Sequence, residues 1–144
     1  MKKKGRIGIL TGGGDCPGIN AVIRAVAKKA INENDMEVIG IEDGYHGIVN
    51  NCFRRLEYHD VSGILTLGGT ILGTSKTANP YRYAAREGSQ LKFKDMSKLA
   101  IKNILSLDLT CLVCIGEMER LALLTNFLKT ESPLLQCRRR STTI

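Results

Sequence analysis

The chain has 144 residues, 43% of them hydrophobic and 24% charged, a length and composition suited to one modest domain with its own core. Its net charge is +7, but five of the 21 basic and three of the 14 acidic residues fall after residue 116, which leaves a mild +5 on residues 1–116. "MKKKGR" leads only into the apolar run "IGIL" before glycines begin, too short for a signal h-region or a membrane span, so a cytoplasmic protein with no membrane partner is expected.

The run "RIGILT" (6–11) is short, β-branched and bounded by glycines, as a buried parallel strand should be. "GGGDCPGIN" follows at once, and "NAVIRAVAKKAINEN" then places Val22, Ile23, Val26, Ala27 and Ala30 at helical spacing. "MEVIGIE" (36–42) reads as a second strand and "DGYHGIV" as a glycine-broken loop leaving its carboxyl end. A glycine-rich irregular stretch, "VSGILTLGGTILGTSKTANPYRYA", precedes the amphipathic helix "DMSKLAIKNILSLDL", and "TCLVCIG" (110–116) is a third strand. This alternation predicts a doubly wound, Rossmann-like α/β domain with a parallel sheet and ligands at the carboxyl ends of its strands.

Five cysteines, an odd number without framework spacing, argue against a secreted disulfide scaffold. Cys111 and Cys114 have the spacing of half a zinc site. A structural zinc site needs four ligands, and in a strand these two residues would face opposite ways, so no metal site is expected. His46 and His59 stand alone in the sequence and are expected on the surface.

Gly12, Gly13 and Gly14 between a strand and a helix permit positive φ and bring backbone N–H groups toward a ligand at the helix's positive end, the outline of a phosphate site. A dinucleotide fingerprint fits poorly, since three residues separate Gly14 from Gly18, although Glu42 could serve as a ribose acid. A P-loop would need a Lys-Ser/Thr pair that "GIN" lacks. Glycines that merely turn a strand into a helix remain an alternative for this loop taken alone.

Three such loops recur, and "GILTGGGDCPGINAVIRAV", "VIGIEDGYHGIV" and "GGTILGTSKTANPY", in this order and spacing, resemble the amino-terminal part of the 6-phosphofructokinase family over residues 6 to about 116. The resemblance implies transfer of the γ-phosphate of ATP, with Mg²⁺, to the 1-hydroxyl of fructose 6-phosphate, in a protein that is a homo-oligomer at full length. Some branches of the family use pyrophosphate as the donor. The resemblance also implies that Gly14, beside Gly12 and Gly13, contacts ATP and that Tyr45 lies near the nucleotide base. Lys76 and Thr77 fall where the family has an arginine and its neighbour beside the phosphates; lysine keeps the charge but loses the planar fork. Arg24 and Lys28, a turn apart, match basic positions that serve a phosphorylated effector in allosteric members, with a solvated helix face as the alternative for the pair taken alone.

After the third strand the family reads "IGGDGT", whose aspartate holds Mg²⁺, and later "PKTIDND", whose first aspartate is the general base; this chain reads "IGEMERLALL". One coding of "IGEMER", ATT GGG GAG ATG GAA CGC, gains a single G to become ATT GGG GGA GAT GGA ACG, which encodes "IGGDGT". The same register turns a coding of "PLLQCRRRSTTI" into "VVAVPKTIDND". Residues 117–144 are therefore expected to be a frameshifted, non-native tail after a nucleotide-binding part at 1–116, and no catalytic residue or metal ligand is assigned. The arginine run then needs no nucleic-acid partner, and it lacks the interleaved aromatics that would suggest one. On this reading the 144-residue form is an inactive, truncated 6-phosphofructokinase of the ATP-dependent type. A pyrophosphate-dependent enzyme, a non-catalytic nucleotide-binding or subunit-interacting fragment, and a dinucleotide-binding redox domain are the other readings.

Overall fold

The structure, a computed structural model, describes residues 4–13, 17–75 and 77–116. The expected tail, 117–144, and the site candidates Gly14 and Lys76 lie outside the described residues.

Strand β1 (Arg6–Thr11) runs at the centre of a four-stranded sheet, parallel to β2 (Glu37–Ile41) on one side and to β6 (Cys111–Ile115) on the other. A fourth strand, β3 (Phe53–Leu56), adds antiparallel to the outer edge of β2. The parallel doubly wound core is thus as predicted, with one antiparallel edge strand that the sequence reading did not foresee. Such an edge is common on otherwise parallel sheets.

Both faces of the sheet are covered, and β1 shows why its residues are apolar in succession rather than in alternation. Ile9 packs on one face with Ile19, Ile23, Ala27 and Ala30 of helix α1 (Ile19–Asn34). Leu10 packs on the other with Ile48 and Val49 of α2 (Tyr45–Asn50) and Ala100, Ile101 and Ile104 of α3 (Ser97–Ser106). Ile9 and Ile23 are inaccessible to solvent, and burying each such side chain contributes roughly 1.5–3 kcal/mol.

Helix α2 occupies the stretch expected to be a glycine-broken loop. Tyr45, Ile48 and Val49, spaced at i, i+3 and i+4, all face the core. Its last carbonyls are held from outside: Asn103 Nδ2 of α3 donates to Ile48 O at 2.9 Å and to Val49 O at 3.1 Å. Gly47 costs helix propensity, yet no other residue fits, because a Cβ there would overlap the Glu42 carbonyl. Packing decides this helix against local preference.

A second sheet is a hairpin of β4 (Tyr83–Glu87) and β5 (Gln90–Lys94), closed by Gly88 and Ser89, with Gly88 at φ +64°. It is fastened to α2 by one aromatic residue. Asn50 Nδ2 donates to Tyr83 Oη at 2.6 Å, Tyr83 Oη lies 2.7 Å from His46 Nδ1, and the His46 and Tyr83 rings stack at 5.9 Å. His46 and His59 are both exposed. Among the described residues no helix is long and apolar enough to cross a membrane.

Replacing Asn103 by alanine is expected to lower unfolding free energy by about 1–2 kcal/mol, since two carbonyls lose their donor. Lys102→Ala, on the exposed side of the same helix, should change it by less than about 0.5 kcal/mol. Urea unfolding followed by circular dichroism checks the pair.

Candidate functional site

The parallel register puts three chain exits at one end of the sheet: Leu10 lies opposite Ile41 and Thr11 opposite Ile115. Immediately beyond are Gly12 and Gly13 from β1, Asp43 and Gly44 from β2, and Gly116 from β6. These segments touch backbone to backbone. A Cβ on Gly44, whose φ is +58°, would lie 2.8 Å from Thr11 O. A Cβ on Gly116, at φ +155°, would lie 3.1 Å from Gly13 O and 3.2 Å from Gly12 C. Side chains at either position would drive the first glycine loop away from its neighbours.

A fourth segment, 67–75, closes over this end, and two buried polar side chains hold it. Thr11 Oγ1 donates to Gly73 O at 2.5 Å and lies 3.2 Å from Thr70 Oγ1, which in turn accepts from Leu72 N. Asn20, in the first turn of α1 and 1% exposed, donates from Nδ2 to Leu67 O at 3.0 Å and Gly68 O at 3.4 Å. Its Oδ1 accepts from Ile71 N at 2.8 Å. Asp43 N donates to Leu72 O at 2.8 Å, so the same segment is also sewn to the exit of β2. Sequence reasoning missed Thr11, Asn20 and Asp43. The signal in hand was a polar residue opening an apolar helix and another ending an apolar strand.

The glycine loop is not uniformly available. Gly12 N donates to Ile115 O at 2.8 Å, so its amide extends the ladder between β1 and β6. Gly13, at φ +122°, is the next backbone unit of the loop. Tyr45, expected near a nucleotide base, starts α2 directly beneath this end and is 2% exposed, packed with Leu10, Ile41 and Ile48. Its ring is a core element here. Thr77 is exposed just past the closing segment. Between them sits Thr74, whose Oγ1 is buried without a hydrogen-bond partner, a group that lacks the acceptor or donor a ligand could supply.

Arg24 and Lys28 lie apart from these loops, on the flank of α1, with Tyr58 from the turn after β3 against Lys28. In β6, Cys114 is half-buried in the core and its thiol is pushed up to about 12 by burial, which keeps it protonated and unreactive. Among the described residues no three His, Cys, Asp or Glu side chains are grouped to hold a metal ion.

A sheet parallel in three of its four strands, with glycine turns and a helix start gathered at its carboxyl end, is an α/β architecture of the class whose ligand sites generally lie at the strand ends. The family model described as "Phosphofructokinase" matches residues 6–138, and the chain belongs to that family. It is 47% identical over 111 residues to the ATP-dependent 6-phosphofructokinase 3 of Bacteroides thetaiotaomicron, an alignment covering 77% of this chain and 32% of that protein. It is 39% identical over 132 residues to the pyrophosphate–fructose 6-phosphate 1-phosphotransferase of Dictyoglomus thermophilum, covering 92% of this chain and 35% of that protein. The crystal structure of Pichia pastoris phosphofructokinase in the T-state superposes with a TM-score of 0.74 at 28% identity, over 94% of this chain and 14% of that one. The chain therefore spans about a third of the length of the curated relatives it matches.

Asn20→Ala is expected to cost about 1–2 kcal/mol of stability, because the part-buried hydrogen bonds to the Ile71 amide and the Leu67 carbonyl are lost. Hydrogen exchange at the Ile71 and Leu72 amides should accelerate selectively over that of the β1 and β2 ladder. Equal acceleration everywhere would mean that Asn20 supports the whole domain and not this segment.

Proposed function

We propose that these loops are the donor-nucleotide half of a 6-phosphofructokinase, which transfers a phosphoryl group from ATP to fructose 6-phosphate. The observation that carries the reading is the closure of the 67–75 segment over the strand ends, with the Thr74 hydroxyl buried and unpartnered among glycine turns. The backbone at Gly13 and the hydroxyl of Thr74 suit a phosphate chain, and the family resemblance assigns Gly14, Lys76 and Thr77 to the same role. Catalysis of this kind works by positioning and charge neutralisation. Mg²⁺, when bound with the nucleotide, supplies neutralisation of the phosphate oxygens. Tyr45, packed in the core, backs this site and is not read as a stacking surface for the base. Arg24 and Lys28 form a separate anion site on the helix flank, suited to a phosphorylated effector. The setting proposed for the full-length protein is a cytoplasmic oligomer.

Pyrophosphate as donor is the second reading, favoured by the similarity to the pyrophosphate-dependent Dictyoglomus relative. A non-catalytic nucleotide-binding fragment is the third. We also propose that residues 117–144 are out of frame and that the 144-residue form lacks turnover, since neither "IGGDGT" nor "PKTIDND" is present in it. The DNA at the Gly116 codon decides whether the frame shifts there.

The expected result is a run of G at the Gly116 codon, and a phosphofructokinase frame opening when one base is restored. The 144-residue chain, its mass verified, should give no fructose 1,6-bisphosphate with ATP or pyrophosphate. The frame-restored protein should do so with ATP and Mg²⁺, and Gly14→Asp should abolish it. Turnover by the 144-residue chain that is itself lost on Gly14→Asp would overturn the reading of the tail. Activity of the restored protein with pyrophosphate alone would assign the other donor.

A further inference from the structure

Arg24 and Lys28 sit on successive turns of α1, and like charges at that spacing repel. Other cations have acidic partners: Lys29 pairs with Glu33, and Arg54, whose Nε makes no hydrogen bond, still lies 3.0 Å from Glu42 and 3.8 Å from Asp60. Among the described residues neither Arg24 nor Lys28 has one. Arg24 Nε is buried with no hydrogen-bond partner. A guanidinium nitrogen withdrawn from water with nothing to accept its proton is unfavourable, and an anion is the group that would complete it.

Lys28 is satisfied in a different way. Its Nζ lies 3.0 Å from Tyr58 Oη and 4.2 Å from the centroid of the Tyr58 ring, so one aromatic side chain offers it both an oxygen and a π face. The hydrogen bond and charge of Lys28, and more weakly the charge of Arg24, hold the Tyr58 phenol below the ordinary tyrosine range. The phenol oxygen thus stands where an anion's oxygen would be stabilised. Nothing anchors the ring in the core. Tyr58 is 48% exposed, and it also lines an open cleft of ≈ 370 Å³ with Lys4, Arg55 and Glu57, so it has room to swing away.

We propose that Tyr58 is a built-in competitor at this site: it occupies Lys28 when no ligand is present, and a phosphate-bearing small molecule binds Arg24 and Lys28 by displacing it. The inference rests on the reading of Arg24 and Lys28 as an anion site. It assigns Tyr58 the role of setting how tightly that site holds its ligand.

The test is an NMR titration of the full 144-residue chain with inorganic phosphate, following the Lys28 and Tyr58 side-chain signals. Tyr58→Ala should tighten phosphate binding roughly two- to fivefold, the factor that an exposed cation–π contact is worth. Tyr58→Phe, which keeps the ring and loses the hydroxyl, should fall between it and the parent and guards against a folding defect in the alanine variant. Arg24→Ala should remove the binding in every background. Equal affinity in the parent and both Tyr58 variants, still lost on Arg24→Ala, overturns the competitor role and leaves the anion site standing. Weaker binding in Tyr58→Ala overturns it too, since Tyr58 would then be a ligand contact. Absence of any Arg24-dependent binding overturns the anion site and the competitor together.

Discussion

The hydrogen bonds that Thr11 and Asn20 make to the 67–73 segment are the constraint on which the strand-end site depends. Without them that segment is a glycine-rich connection between a short helical turn and the hairpin, with no ladder of its own. Both side chains are buried, and both reach backbone groups about 50 to 60 residues away in sequence. Buried polar groups are tolerated when all their partners are present. Here that requirement works as a positional device, because the loop closes only where each carbonyl and amide meets its side chain.

Glycine at the strand ends serves the same closure from the backbone side. Gly44 and Gly116 flank the exit of β1 so closely that a methyl group on either would press on Thr11 or on Gly12 and Gly13. The sheet's carboxyl end is therefore assembled from main chain, with few side chains projecting into it. Backbone amides and a helix start can then face a polyanion at close range, which is the physical basis for phosphate sites in α/β folds. Beside the paired hydroxyls of Thr11 and Thr70, that of Thr74 is buried with no hydrogen-bond partner.

The flank of α1 follows a different logic. There an anion site would be built from long, partly buried cationic side chains on one helix face, and an aromatic ring from the turn after β3 already answers one of the charges. The two regions are linked by α1 itself, whose first turn carries Asn20 and whose second and third carry Arg24 and Lys28.

The order of strand, glycine loop and helix at residues 6–34 was fixed by local sequence, because β-branched runs, consecutive glycines and 3.6-residue periodicity act over a few residues. The family motifs were legible for the same reason. The hairpin was also legible, since Gly88-Ser89 between two short segments is a two-residue turn signal, yet residues 85–94 were assigned no element. Tertiary structure alone decided the rest. Helix α2 forms despite Gly47 because Tyr45, Ile48 and Val49 find a core and Asn103 finds their carbonyls. Strand β3 exists because Phe53–Leu56 pairs with β2. The amide of Gly12 is committed to Ile115, 103 residues on, and Tyr58 reaches back 30 residues to Lys28. No local pattern encodes such partners, since they meet only after the sheet has brought distant segments into contact.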